Sequence, residues 1–208
     1  EKVVVEMLRF PSERYEAEAV ISEVLGGRHT SGVDTLTIMR EFDLPEEFSE
    51  QVLEESRTMA ARFEEEDWTK DRKDLTEETV ITIDPEDARD FDDAISLGRL
   101  DNGHWRLGVH IADVSHFVRP NTNLDNEAFK RGNSVYLPDR VIPMLPELIS
   151  NGLASLQPDR VRMTLTAEME FTSEGIPVST MVVDTAVKSC RRFTYEEGDD
   201  YKIGRAHV

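Results

Sequence analysis

Short apolar runs, broken by single charged residues, open the chain. Val3-Val4-Val5-Glu6-Met7-Leu8 and Ala17 to Leu25 read as strands, separated by Pro11-Ser12-Glu13-Arg14 and closed by Gly26-Gly27. Two strands alone do not make a stable unit, so the pattern predicts the end of a small β-barrel. Over residues 29–79 the period becomes helical. Phe48, Val52, Leu53, Met59, Ala60 and Phe63 fall on one face and glutamates on the other, with Pro45-Glu46-Glu47 as the expected first turn. From Val80 the texture returns to short strands: Val80-Ile81-Thr82-Ile83, Asp93 to Leu97 and Trp105 to Ala112, with Asp101-Asn102-Gly103 as a hairpin turn between the last two. A helix is expected over Leu124–Gly132, followed by a proline-rich stretch from Leu137-Pro138 to Leu145-Pro146. Further on, Met163, Leu165, Ala167, Met169 and Phe171 alternate with Thr164, Thr166, Glu168 and Glu170, the pattern of a half-buried antiparallel strand. Thr172-Ser173-Glu174-Gly175 then turns the chain into a strand from Ile176 to Ala186. The elements predict an α+β fold, with a mixed or mostly antiparallel sheet and flanking helices.

Composition narrows the function classes. In 208 residues there are 43 acids and 24 Lys plus Arg, a net charge of −19. Residues 41–93 hold 21 of the acids against 6 bases. Phosphate neutralisation needs an excess of bases, so the chain by itself is a poor non-specific nucleic-acid binder. Most of that acidic block reads as a solvated helical face. No run approaches the ~18 apolar residues of a membrane span, and no secretory leader is expected. A single cysteine, Cys190, removes any disulfide framework or cysteine-based zinc site and points to a reducing cytoplasm. The chain opens on Glu1, which suggests a piece of a longer protein.

The chemistry is concentrated in TIDPEDARDFDDAI, residues 82–95. Asp84, Asp87, Asp90, Asp92 and Asp93 fall within ten positions, at the end of one apolar strand and the start of another. Crowded carboxylates raise one another's pKa unless a cation neutralises them, and magnesium, a hard ion satisfied by a few carboxylates and water, suits such a loop. A calcium EF-hand is excluded: counting from Asp84, the sixth residue is Arg89 rather than Gly and the twelfth is Ile95 rather than Glu. The plain alternative is an acidic loop capping backbone amides. Against it stand the apolar strand before the loop and Phe91, Ala94 and Ile95, which argue for partial burial, where unpaired carboxylates are costly.

TIDPEDARDFDDAI, with GVHIADVSHFV (108–118), RGNSVYLPDRVIPMLPELISNGLASL (131–156) and RMTLTAEMEF (162–171), resembles the catalytic domain of the ribonuclease R / ribonuclease II (RNB) family, and its ribonuclease R branch most of all. The resemblance divides the chain into the end of a second cold-shock (OB-type) domain at 1–28, a helical connector at 29–79 and the N-terminal part of the catalytic domain at 80–197. It implies a magnesium-dependent (manganese as an alternative), processive 3′→5′ exoribonuclease that releases nucleoside 5′-monophosphates from the 3′ end of single-stranded RNA, without a membrane or an obligate protein partner. The family's four acidic positions fall on Asp84, Asp90, Asp92 and Asp93. Asp84 and Asp93 would hold a metal, Asp90 and Asp92 would complete a site compatible with two, and Asp92 matches the aspartate most critical for activity. Asp87 is left as a loop carboxylate. The four carboxylates are expected to gather in one small volume. Tyr136 falls on the tyrosine that stacks on the last base, and Tyr195 on a second tyrosine of the RNA channel; stacking suits an enzyme indifferent to sequence. Without the resemblance, Tyr136 would read as a core residue.

His110 and His116 read as structural histidines, and Arg131, Arg140, Arg160 and Arg162 as surface ion-pair partners more readily than phosphate ligands. The resemblance also implies a later arginine-bearing motif and a basic C-terminal OB domain beyond these residues, so the chain by itself is expected to be inactive. Residues 198–208, ending in KIGRAHV, read as a non-native tail. A non-catalytic RNA-binding or regulatory relative is the competing reading. The four intact aspartates favour the enzyme.

Overall fold

The structure is a computed structural model that describes residues 1–64 and 70–199. It divides into two compact units, one built from residues 1–49 and 128–144, the other from residues 50–127 and 145–208.

In the first unit, β1 (Lys2–Arg9) and β2 (Glu18–Gly26) form an antiparallel pair. The helix α1 (Val33–Glu41) follows, with Val33 and Met39 buried. Arg40 ties this unit together: its Nε donates to Glu23 at 2.7 Å, and its Nη1 donates to Glu46. The expected first turn at Pro45-Glu46-Glu47 is not helical. Arg131 intercepts it, donating to the carbonyls of Pro45 (3.3 Å) and Glu47 (2.7 Å), while its guanidinium lies 3.8 Å from the centre of the Phe48 ring. Carbonyls turned toward Arg131 are not aimed along a helix axis, so α2 starts later, at Glu50. A two-residue hairpin of β6 (Val135–Tyr136) and β7 (Val141–Ile142) completes the unit.

The second unit carries α2 (Glu50–Glu64), α3 (Val114–Phe117) and most of α4 (Asn123–Arg131). The Glu55 carboxylate of α2 accepts from the backbone amides of Asn123 (3.0 Å) and Leu124 (3.3 Å), placing negative charge at the start of α4 where the helix dipole favours it. The centre of the unit is a closed five-stranded barrel in the order β3 (Lys73–Asp84), β4 (Asp93–Arg99), β5 (Trp105–Ala112), β8 (Val161–Phe171) and β9 (Pro177–Thr194). Neighbours run antiparallel except β3 and β9, whose parallel pairing closes the ring and leaves no free edge. Gly103, at φ 83°, makes the expected β4–β5 turn.

Along β8 the strand is present, and its buried middle holds threonines as well as Met163. Thr164 and Thr166 are fully buried, whereas Leu165 is 46% exposed. The barrel interior is narrow and takes small polar side chains that satisfy one another. Thr185 Oγ1 lies 2.6 Å from Thr164 Oγ1 and 2.5 Å from Thr166 Oγ1, and His110 Nδ1 lies 2.8 Å from Thr166 Oγ1. The outer face keeps Leu97, Ile111, Leu165 and Val182 exposed. His110 is accordingly structural, and burial pushes its pKa down to about 4. His116 packs edge-on against Phe63 and Phe117. Arg162 is not a surface ion-pair partner: it is buried and donates to the carbonyls of Ser155 (2.8 Å) and Val161 (2.9 Å). Among the described residues no helix is long and apolar enough to cross a membrane.

Candidate active site

The aspartate loop joins the end of β3 to the start of β4 at one end of the barrel. Asp84 is the last residue of β3, opposite Thr194 of β9, and Asp93 is the first of β4, opposite Ile111 of β5. Asp84 continues the inward series Val80 and Thr82 and is only 8% exposed. Asp93 belongs to the opposite parity and is exposed. The chain folds this way because the apolar strand must end inside the barrel while the polar loop leaves it.

The electrostatics single out two of the four carboxyl groups. Burial raises the Asp84 pKa. The charges of Asp93 and Asp90 add to the shift, while Arg192 opposes it; the Thr82 hydroxyl nearby also opposes it, although it is itself buried without a hydrogen-bond partner. Asp92 is raised by desolvation first and then by Asp90, Asp93 and Asp84, although the residue as a whole has an open surface. The four aspartates therefore share one electrostatic neighbourhood. They do not gather as tightly as expected: among the described residues, no three His, Cys, Asp or Glu side chains stand close enough to hold one ion. The resemblance pairs Asp84 with Asp93; burial raises the pKa of Asp84 and of Asp92.

A hard cation nevertheless suits the donor set. Asp84 Oδ2 is buried and has no hydrogen-bond partner, an arrangement that costs free energy unless a positive charge faces it. Magnesium is commonly bound through one or two carboxylates, with water and substrate phosphate supplying the other ligands, so it does not require a three-carboxylate cage.

Tyr195 directly follows the residue paired with Asp84; it opens a helical turn over 195–199 and is 55% exposed. Tyr136 lies on β6 in the other unit and is 67% exposed, so it is not a core residue. Asp87 is an exposed loop residue. Two side chains that the sequence did not single out hold the loop: Ser155 and Arg192. Ser155 sits inside a segment that carries the resemblance and Arg192 three positions before Tyr195, but nothing local marks them, because their partners lie 64 to 107 positions away in the chain.

The RNB domain family matches residues 72–205, which is more than half of the chain. The chain belongs to the RNB family. A cold shock domain matches residues 1–49 of this RNB chain. Ribonuclease R of Thermotoga maritima is 45% identical over 203 residues, covering 97% of the chain and 28% of that protein. Among solved structures, the RNase R of Mycoplasma genitalium in complex with double-stranded RNA matches with a TM-score of 0.88 at 28% identity, over 99% of this chain and 36% of its own. Yeast Ssd1, a pseudonuclease, shares the fold at a TM-score of 0.71 and 18% identity, over 97% of this chain and 25% of its own. The chain thus spans about a third or less of these relatives. The expected tail falls outside the described residues from 200 onward.

Proposed function

We propose that this chain carries the catalytic aspartates of a magnesium-dependent, processive 3′→5′ exoribonuclease acting on the 3′ end of single-stranded RNA and releasing nucleoside 5′-monophosphates. The observation that carries the reading is the buried, unpartnered Asp84 carboxylate oxygen in a loop whose Asp90, Asp92 and Asp93 occupy the family's other acidic positions. RNA as the substrate is supported by the structural match to an RNase R in complex with RNA. The same fold occurs in a pseudonuclease, so the fold alone does not assign activity; the intact aspartates do.

One or two carboxylates of the set Asp84, Asp90, Asp92 and Asp93 would hold magnesium, or manganese in its place, with water and substrate phosphate as the other ligands. Bound there, the ion supplies Lewis acidity that activates water and stabilises the leaving oxygen of an in-line displacement. The protein's own part is to present desolvated carboxylates at a barrel end and, through exposed Tyr136 and Tyr195, flat surfaces on which any base can stack. The cytoplasm is the compartment assigned, from the single free Cys190. The 208-residue chain alone, with its net charge of −19 and about a third of its relatives' length, is expected to release no 5′-monophosphates.

The decisive experiment is Asp92→Asn in the complete protein. Size and polarity are kept and one negative charge is lost, so degradation of a 3′-tailed RNA collapses by orders of magnitude while RNA binding survives. Parental degradation by this variant would refute the assignment.

A further inference from the structure

We infer that Ser155 and Arg192 are positioning residues for the aspartate loop; the inference rests on the active-site reading above. The hydrogen bonds of the Ser155 hydroxyl and of Arg192 Nη2 go to the loop backbone.

Ser155 is completely buried, just beyond the π-helical turn Leu148–Leu153. Its hydroxyl accepts from the amide of Phe91 at 3.1 Å and donates to the carbonyl of Arg89 at 2.9 Å. These two groups belong to the peptides on either side of Asp90. One hydroxyl therefore bridges both planes that set the direction of the Asp90 side chain. The neighbouring backbone continues the pattern toward Asp92. The Leu156 amide donates to the Phe91 carbonyl at 2.9 Å, and the Ala112 amide donates to the Asp92 carbonyl at 2.9 Å, so the peptides before and after Asp92 are also held. Arg162 steadies the brace from behind, its Nε donating to the Ser155 carbonyl at 2.8 Å.

Arg192 holds the other half of the loop. Its Nη2 donates to the carbonyls of Pro85 and, at 2.8 Å, of Glu86, just after Asp84, and its guanidinium lies 4.9 Å from the centre of the Phe91 ring. Both bonds come from one terminal nitrogen while the guanidinium plane covers the Phe91 ring; a lysine ammonium, shorter by one group and without a plane, does not reproduce the two together. Its Nη2 is taken by the loop backbone, which fits a positioning role. Carboxylates that must share a cation and a phosphate are sensitive to displacement: an error of about 1 Å costs roughly a hundredfold in rate.

The test uses the complete protein carrying Ser155→Ala, Ser155→Thr, Arg192→Lys or Asp92→Asn. Four quantities are compared: kcat and KM on a 3′-tailed RNA, RNA affinity in chelator, and Mn²⁺ affinity without RNA. Ser155→Ala and Arg192→Lys are expected to lower kcat by about tenfold to a hundredfold and to weaken Mn²⁺ binding, with KM and RNA affinity unchanged. Ser155→Thr, which keeps the hydroxyl, is expected to recover most of the loss. If Ser155→Ala does not fold, Arg192→Lys alone decides, because it retains the charge and loses only the fork. Parental kcat and Mn²⁺ affinity in both Ser155→Ala and Arg192→Lys beside an inactive Asp92→Asn would overturn the brace and leave the site standing. An active Asp92→Asn would overturn the site and the brace with it.

Discussion

His110 and Thr166 face each other across the β5–β8 ladder inside the barrel, with Nδ1 and Oγ1 2.8 Å apart and Ser96 Oγ at 3.0 Å from the other ring nitrogen. Both ring nitrogens are thus engaged in a fully buried polar cluster that accommodates the neutral imidazole. Burial holds the folded pKa at about 4, against 6.5 for the free side chain, with Glu168 and Glu78 pulling weakly the other way. Above the unfolded value both states are neutral and the contribution is intact. As pH falls from about 6.5 toward 4, the unfolded chain takes up a proton that the folded one refuses, and stability drops by at most about 3 kcal/mol. Denaturant unfolding at about pH 7.5 and pH 5 should show this loss, and His110→Gln should flatten it.

Gly108 makes room for that cluster. A Cβ there would lie 2.5 Å from Ser96 Oγ and 2.9 Å from the His110 ring. Neither neighbour can withdraw without breaking its hydrogen bond, so Gly108→Ala is expected to destabilise the barrel by about 1–3 kcal/mol, measured by the shift in denaturant midpoint.

Arg72 and Asp113 form the other internal constraint. Arg72 Nη2 donates to Asp113 Oδ2, and its Nη1 donates to the Thr164 carbonyl at 3.2 Å, with both side chains nearly buried. Burial alone would raise the Asp113 pKa; hydrogen bonds from Ser115 and Arg72 and the Arg72 charge bring it below its ordinary value. Its stabilising contribution is therefore present above the unfolded carboxylate pKa and lost as pH falls through the folded one. Asp113→Asn leaves the Arg72 charge uncompensated and should cost about 3 kcal/mol in an unfolding titration at neutral pH.

Asp84 makes the opposite prediction. One oxygen of its carboxylate is buried without a hydrogen-bond partner, and burial together with Asp93 and Asp90 outweighs Thr82 and Arg192, so the charge opposes folding when no cation is present. Asp84→Asn is expected to stabilise the metal-free protein by about 1 kcal/mol and to abolish the rise in Tm that Mg²⁺ or Mn²⁺ produces in the parent. A metal-induced rise of equal size in parent and variant would count against Asp84 as a ligand.

The sequence by itself determined the period of each element, the turn at Gly103 and the crowding of aspartates between two strands. These are local properties, set by spacing within a few residues. The inside of the barrel was decided by the tertiary structure. The β8 alternation is compatible with either face inward, and the closed ring buries Thr164 and Thr166 rather than Leu165, because Thr185 and His110 arrive from other strands to satisfy their hydroxyls. The start of α2 was decided the same way, by Arg131 taking the carbonyls that a first turn at Pro45 would have used. At the site, the identity of the acidic residues was legible. Which carboxyl groups are desolvated, and what holds their backbone, was not: burial depends on the whole barrel end, and Ser155 and Arg192 reach the loop from 64 or more residues away.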